Sequence, residues 1–224
     1  MKLTDKITIT NEDNMEIMAR YPDNYFDLAI VDPPYGIDAD KKNNGKNSDT
    51  HEKTSKAKIN KYKKTNWDNA TPTTNYFKEL FRVSKEQIIW GVNYYPYDFL
   101  SGGRIYWDKC VTMPTYSNGE LAYCSKLNSI KSFTFAWHGM IQQEMGNKEQ
   151  RIHPTQKPRQ LYNFLLDNYA KEGDKILDTH LGSGSIALAC HERGFELTAC
   201  ELDTDYYNAS IKRIKNHISQ QRLF

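Results

Sequence analysis

Asp32, Pro33, Pro34 and Tyr35 follow directly on the apolar run Asp27-Leu28-Ala29-Ile30-Val31. Two successive prolines fix φ near −65° and remove two backbone donors, which leaves the carbonyls of Asp32 and Pro33 to accept from another group. The Asp32 carboxylate adds an ionised acceptor, and Tyr35 offers an aromatic face for a planar base. Together these residues describe a clamp on an exocyclic amine. Such an amine is a poor nucleophile because its lone pair is delocalised into the ring. Accepting its protons at Asp32 and at the Pro33 carbonyl pushes the nitrogen toward a tetrahedral lone pair that can attack.

A second constellation lies downstream. Ile176-Leu177-Asp178-Thr179-His180-Leu181-Gly182-Ser183-Gly184-Ser185 passes from strand to helix through G-x-G, and Ala187 completes the looser form G-x-G-x-x-A. Glu201 ends the next strand, where a carboxylate can accept from both hydroxyls of an adenosine ribose. This geometry serves NAD and S-adenosylmethionine equally, so the turn alone does not choose the cofactor.

These sites need a scaffold of alternating strands and helices. The apolar patterns predict strands over Ile7 to Ile9, Phe26 to Val31, Gln87 to Val92, Arg104 to Trp107, Gly119 to Ser125, Ser132 to Trp137, Lys175 to Thr179 and Glu196 to Glu201. Helices are expected over Asn14 to Tyr21, Thr73 to Val83, Pro158 up to a stop at Gly173, Ser185 to Arg193, and about Asp205 to Gln220. The order implies an α/β, doubly wound, mostly parallel sheet with ligands at the carboxyl ends of its strands. All 224 residues are expected to form one domain.

The net charge of +2 divides unevenly. Lys41 to Lys64 holds nine lysines against Asp49 and Glu52, a surplus of +7, so the rest of the chain sums to −5. With Tyr62 its single aromatic, the stretch at about 41–66 reads as a mobile loop. Composition leaves open both a solvated insert and an arm whose Lys56, Lys58, Lys61, Lys63 and Lys64 hold nucleic-acid phosphates. No apolar run approaches the length of a bilayer-spanning helix, and Met1 to Asp13 has no apolar core of the signal-peptide kind, so a cytoplasmic protein is expected. Cys110, Cys124, Cys190 and Cys200 lack metal-site spacing and a disulfide pattern, so reduced, mostly buried thiols are expected and no metal.

Asp32-Pro33-Pro34-Tyr35, the segment His153-Pro154-Thr155-Gln156-Lys157-Pro158, and the Asp178 to Ser185 turn with Glu201 resemble the amino-group DNA methyltransferases that use S-adenosylmethionine. The motif order is that of their permuted β group, and the chain is most similar to the small methylases of bacteriophages and prophages, relatives of restriction–modification enzymes. The resemblance implies a Rossmann-like methyltransferase fold with permuted motifs. It also implies transfer of a methyl group to adenine N6 in double-stranded DNA, after the base is flipped onto Tyr35. Asp in the first position of the tetrapeptide is usual for adenine enzymes; cytosine N4 is the alternative, and a catalytically silent DNA-binding subunit a further one.

By the same resemblance Asp178, Gly182, Ser183 and Gly184 would border the methionine part of the cofactor, Glu201 the ribose and Asp13 the adenine. His153, Thr155, Gln156 and Lys157 would close over its carboxylate, with Lys157 supplying positive charge. Thr179-His180 replaces the family's usual Pro-Phe, so His180 stands in the cofactor wall. Residues at about 110–150 would form a small target-recognition region. A homodimer is compatible with the sequence, no obligate protein partner is implied, and the setting would be the nucleoid of a bacterial or phage-infected cell.

Overall fold

A computed structural model describes residues 1–39, 66–111, 117–138 and 141–221. One sheet holds eight strands, namely β1 (Ile7–Thr10), β2 (Phe26–Val31), β3 (Ser84–Trp90), β4 (Arg104–Asp108), β5 (Gly119–Cys124), β6 (Ile130–Thr134), β9 (Lys175–Asp178) and β10 (Glu196–Cys200). Their order across it is β1-β10-β9-β2-β3-β5-β4-β6. From β1 through β3 all neighbours run parallel, β5 lies antiparallel between β3 and β4, and β4 and β6 are parallel again.

The parallel half is apolar on both faces because helices cover both. Leu28 and Ile30 of β2 point into one cluster with Leu161, Leu165, Ile186 and Ile214, from α3 (Arg159–Tyr169), α4 (Ser185–Arg193) and α5 (Thr204–Gln221). Ala29 and Val31 point the opposite way, onto Ile17 and Met18 of α1 (Asn14–Ala19) and Phe77 and Leu80 of α2 (Thr74–Val83). The alternation along β2 is the two-residue period of a strand buried on both sides.

The site's position follows from the connections. β2 and β9 are neighbours, with Leu28 opposite Ile176 and Ala29 opposite Leu177. From β2 the chain leads through α2 to β3 on one side, and from β9 through α4 to β10 on the other. The crevice between the carboxyl ends of β2 and β9 is therefore the switch point where an open α/β sheet takes its ligand.

Some boundaries differ from expectation. β3 starts at Ser84, where α2 ends, with no intervening loop: Ser84 Oγ donates to the Leu80 carbonyl at 2.5 Å, and Lys85 pairs with Asp27 of β2 at 2.6 Å. Polar Ser84, Lys85 and Glu86 resemble a loop in sequence, but Ser84 is buried against α2, Lys85 and Glu86 are partly or fully exposed, and the strand is continuously buried from Gln87 onward. The run Ser132 to Trp137 is not one strand: β6 stops at Thr134, and Trp137–His138 (β7) pairs with Ile141–Gln142 (β8) in a separate hairpin. α1 ends at Ala19, and α3 ends at Tyr169, ahead of Gly173. Cys110 is exposed, while Cys124, Cys190 and Cys200 are buried. Among the described residues no helix is long and apolar enough to cross a membrane.

Candidate active site

The carboxyl ends of the parallel strands open on one cavity of about 660 Å³, within the usual range for a small-molecule site. Asp32, Tyr35, Lys109 and Glu120 line one part of it, and Glu12, Asn14, His180, Gly182, Ser183 and Glu201 another.

Asp32 leaves β2 with a side chain 20% exposed. Its Oδ1 accepts from the Tyr35 hydroxyl at 2.7 Å and its Oδ2 from Lys157 Nζ at 2.5 Å. Glu120, at the start of β5, receives the same two donors on Oε2, each at 3.0 Å, and binds Lys109 through Oε1. Lys157 is only 3% exposed and also reaches the Tyr35 oxygen at 3.1 Å. Two acids and two lysines thus form a neutral, half-buried cluster in which Lys157 alone is fully buried. Burial pushes the Asp32 carboxyl up, Lys157 pulls against that, and Glu120 adds to it. Burial works against the Lys157 ammonium, but Asp32 and Glu120 hold its pKa above the ordinary lysine value.

Three of the residues given roles from the sequence already have partners within the chain. Lys157 is spent on Asp32, Glu120 and Tyr35, so its charge is already balanced by acids of the chain. The Pro33 carbonyl accepts from the Tyr95 hydroxyl at 2.9 Å, because the turn after β3 brings Tyr95 beneath it. The Tyr35 ring is stacked on Tyr94, with centroids 4.9 Å apart and planes 17° apart, so one face is covered by a residue that is itself 39% exposed. Trp90 lies in the core. Gly91 is required here: a Cβ on it would come within 2.1 Å of Tyr35 Cε1, and its φ of +78° is left-handed.

Asp68 holds the segment after the tetrapeptide. It is 1% exposed, and its carboxylate accepts from the backbone N–H groups of Tyr35, Gly36 and Ala39 at 2.6, 2.9 and 2.8 Å. The prolines supply no such donors, so the first available N–H groups after them are the ones anchored.

Around the G-x-G turn, Glu201 Oε2 accepts from Gly182 N at 2.8 Å and Oε1 from Asp203 N at 2.9 Å. A Cβ on Gly182 would meet nothing nearer than the His153 ring at 3.9 Å, so this glycine leaves open space beside the cavity. Gly184 serves packing instead: a Cβ there would lie 2.9 Å from Ile214 Cδ1, and the residue does not line the cavity. Asp178 does not line it either. Its carboxylate is buried against the His180 N–H at 3.0 Å, and burial pushes its pKa up to about 8. Asp13 caps α1 by accepting from Met15 N at 2.7 Å, and its neighbours Glu12 and Asn14 line the cavity in its place.

His153, Thr155, Gln156 and Lys157 all line the cavity. The His153 ring packs between Tyr206 and Trp67, and burial lowers its pKa to about 3. Gln156 holds its own loop by accepting from Ile152 N at 3.0 Å. Ser185 Oγ donates to the Lys157 carbonyl at 2.8 Å, and Arg213 Nη1 to the Ser183 carbonyl at 2.8 Å, which ties this segment and the G-x-G turn together. Thr179 and His180 are accommodated by a hydrogen-bonded chain. Asn14 Nδ2 meets His180 Nε2 at 3.0 Å, His180 Nδ1 meets Thr179 Oγ1 at 2.9 Å, and Thr179 Oγ1 meets the Tyr76 hydroxyl at 2.7 Å. With the Asn14 amide as donor, His180 carries its proton on Nδ1, and burial lowers its pKa to about 3, so the ring is neutral.

Glu120, Lys109 and Asp68 are the site residues that the sequence reading missed. Glu120 carries one visible signal, a lone acid near the start of the apolar strand Gly119 to Cys124. Asp68 carries none. Lys56, Lys58, Lys61, Lys63 and Lys64 lie outside the described residues.

Comparison with known proteins agrees with the architecture. The solved M1.HpyAVI–SAM complex superposes with a TM-score of 0.56 at 20% identity, covering 92% of this chain and 98% of that one. The cytosine-N4-specific PvuII DNA methyltransferase gives 0.56 at 14% identity, covering 96% and 93%. Among curated sequences, the type II methyltransferase M2.DpnII of Streptococcus pneumoniae is 25% identical over 156 residues, 66% of this chain and 49% of that protein. The type II methyltransferase M.HpaI of Haemophilus parainfluenzae is 29% identical over 73 residues, 33% of this chain and 23% of that protein. The chain thus spans at most about half the length of these curated relatives. A family model described as DNA methylase matches residues 52–212, the greater part of the sequence, and the chain belongs to that N6/N4 DNA methylase family.

Proposed function

We propose that the chain transfers a methyl group from S-adenosylmethionine to the exocyclic amine of a base in double-stranded DNA, with adenine N6 as the target. The observation that carries this is Asp32, a carboxylate at the end of β2 opening on the same cavity as Gly182 and Glu201. The residues fit the cofactor: Gly182 leaves space at the cavity wall, and Glu201 is fixed by two backbone N–H groups where ribose hydroxyls could donate to it. Bound there, S-adenosylmethionine supplies an electrophilic methyl on sulfur.

Asp32 accepts an N–H of the target amine and so localises the nitrogen lone pair toward that methyl. The methyl would pass to that nitrogen, with the cofactor's sulfur keeping the electrons of the bond it gives up. The nitrogen then sheds its proton to Asp32, the carboxylate that already accepts that N–H. The amine of a paired base lies inside the duplex, so the base must be flipped into the cavity. Tyr94 must leave the Tyr35 ring for the base to stack there. Cytosine N4 is the second reading, favoured by the likeness to a cytosine-N4-specific enzyme. We read the chain as one methyltransferase domain that needs no second protein.

The test is transfer of labelled methyl to duplex DNA, RNA and protein in parallel, followed by nucleoside analysis. N6-methyladenine in DNA is the expected product; N4-methylcytosine would move the assignment to the second reading, and no transfer to any substrate would refute the enzyme.

A further inference from the structure

Both carboxylate oxygens of Asp32 already accept from a donor, so an incoming amine must share an oxygen with that donor or displace it. Oδ1 holds the Tyr35 hydroxyl and Oδ2 the Lys157 ammonium. The three ammonium hydrogens of Lys157 match three acceptors: Asp32 at 2.5 Å, Glu120 at 3.0 Å and the Tyr35 oxygen at 3.1 Å. Breaking a buried charge pair with nowhere for the partner to go is strongly unfavourable. Glu120 Oε2 is that alternative, since it already stands 3.0 Å from Lys157 Nζ and 3.0 Å from the Tyr35 hydroxyl. Lys109 balances the charge of Glu120, so the cluster remains neutral when a neutral amine enters.

On the reading of the site given above, we propose that Glu120 is a positioning residue for methyl transfer, the acceptor that retains Lys157 and the Tyr35 hydroxyl when the target amine takes their place on Asp32. Its position suits this role: β5 brings it from the antiparallel part of the sheet, against the end of β3, to the mouth of β2. The groups facing the Asp32–Glu120 pair are Tyr35, Lys157, Lys109 and Tyr95, with Asp178 of β9 and Tyr162 of α3 behind them. None of the others is an acid within reach of both donors.

The experiment compares wild type, E120Q, K157Q and the E120Q/K157Q double variant in methyl transfer to DNA across pH, with calorimetry for S-adenosylhomocysteine. E120Q is expected to lower kcat about 10- to 100-fold, since Asp32 then keeps the undivided ammonium, while affinity for S-adenosylhomocysteine stays within about twofold. K157Q leaves two buried acids facing each other, so the acid limb of its kcat/KM profile should move to higher pH. Adding E120Q to K157Q should return that limb toward wild type and make the double variant at least as fast as E120Q alone. A merely structural Glu120 gives the opposite result, a double variant slower than either single one, and that outcome overturns the proposal. Wild-type kcat in E120Q also overturns it. Should E120Q fail to fold, E120D, which withdraws the carboxylate by one methylene, carries the same comparison with K157Q. An inactive wild type would refute the methyltransferase reading itself, whereas an active wild type with these contrary results refutes only the role of Glu120.

Discussion

Replacing Asp68 should cost both stability and the geometry of Tyr35. Its carboxylate accepts three backbone N–H groups, two on Oδ1 and one on Oδ2, at a position 1% exposed. Each hydrogen bond to a charged acceptor contributes about 1.5–3 kcal/mol, but the three share one carboxylate and are not additive. We expect D68A to lose about 3–5 kcal/mol, a large part of the ~5–15 kcal/mol typical of a folded domain. D68N separates the contributions. Its oxygen can keep the bonds to Tyr35 and Gly36, while its amide would face the Ala39 N–H donor to donor, so about 1.5–3 kcal/mol should be lost. Urea unfolding with unchanged m-values measures both. D68A within about 1 kcal/mol of wild type, or D68N equal to D68A, would refute the idea that this carboxylate anchors the segment.

Four further outcomes are expected. D32A should abolish methyl transfer and leave S-adenosylhomocysteine affinity largely intact, as checked by turnover and calorimetry on the same preparation. E201A should weaken S-adenosylhomocysteine by about 1–3 kcal/mol in calorimetry, because the proposed ribose acceptor, which also anchors Gly182 N, is removed. The Asp178 carboxyl holds its proton up to about pH 8 in the folded chain and loses it near pH 4 when unfolded, so its contribution to stability is full below pH 4 and is lost as pH rises toward 8; D178N should therefore gain in melting temperature over wild type at pH 8.5 relative to pH 5.5. Glutamine at Lys56, Lys58, Lys61, Lys63 and Lys64 should weaken DNA binding for all sequences and lower its log–log salt slope by at most about 0.9 for each phosphate no longer neutralised, as read by titration at several salt concentrations.

What could be read from sequence was what is contiguous in it. β2, β9 and β10 each carry a short apolar stretch, and α4 lies between Gly184 and Gly194, so the alternation and the switch point followed from local pattern. Asp32 and Glu201 were legible because each directly follows such a run. The cluster around Asp32 was not, since Glu120 and Lys157 lie 88 and 125 residues downstream, and only the fold brings the loop ahead of α3 and the start of β5 to the end of β2. Asp13 and Asn14 show a finer limit. Both are small polar residues, and helix capping takes the first while leaving the second for the cavity and His180.

The pairing of β1 with β10 constrains how the chain can fold during synthesis. Ile7 lies opposite Leu197 and Thr10 opposite Cys200, so the first strand waits for a partner about 190 residues away. At about 5–20 residues per second a ribosome needs roughly 10–40 s to make that stretch. Meanwhile β2 can dock on β3, whose register with it closes within about 60 residues of chain, but its other edge stays open until β9 emerges. The cavity therefore forms last: its two walls belong to segments translated far apart, and a stalled nascent chain would expose the apolar edge of β2 to chaperones before any ligand could bind.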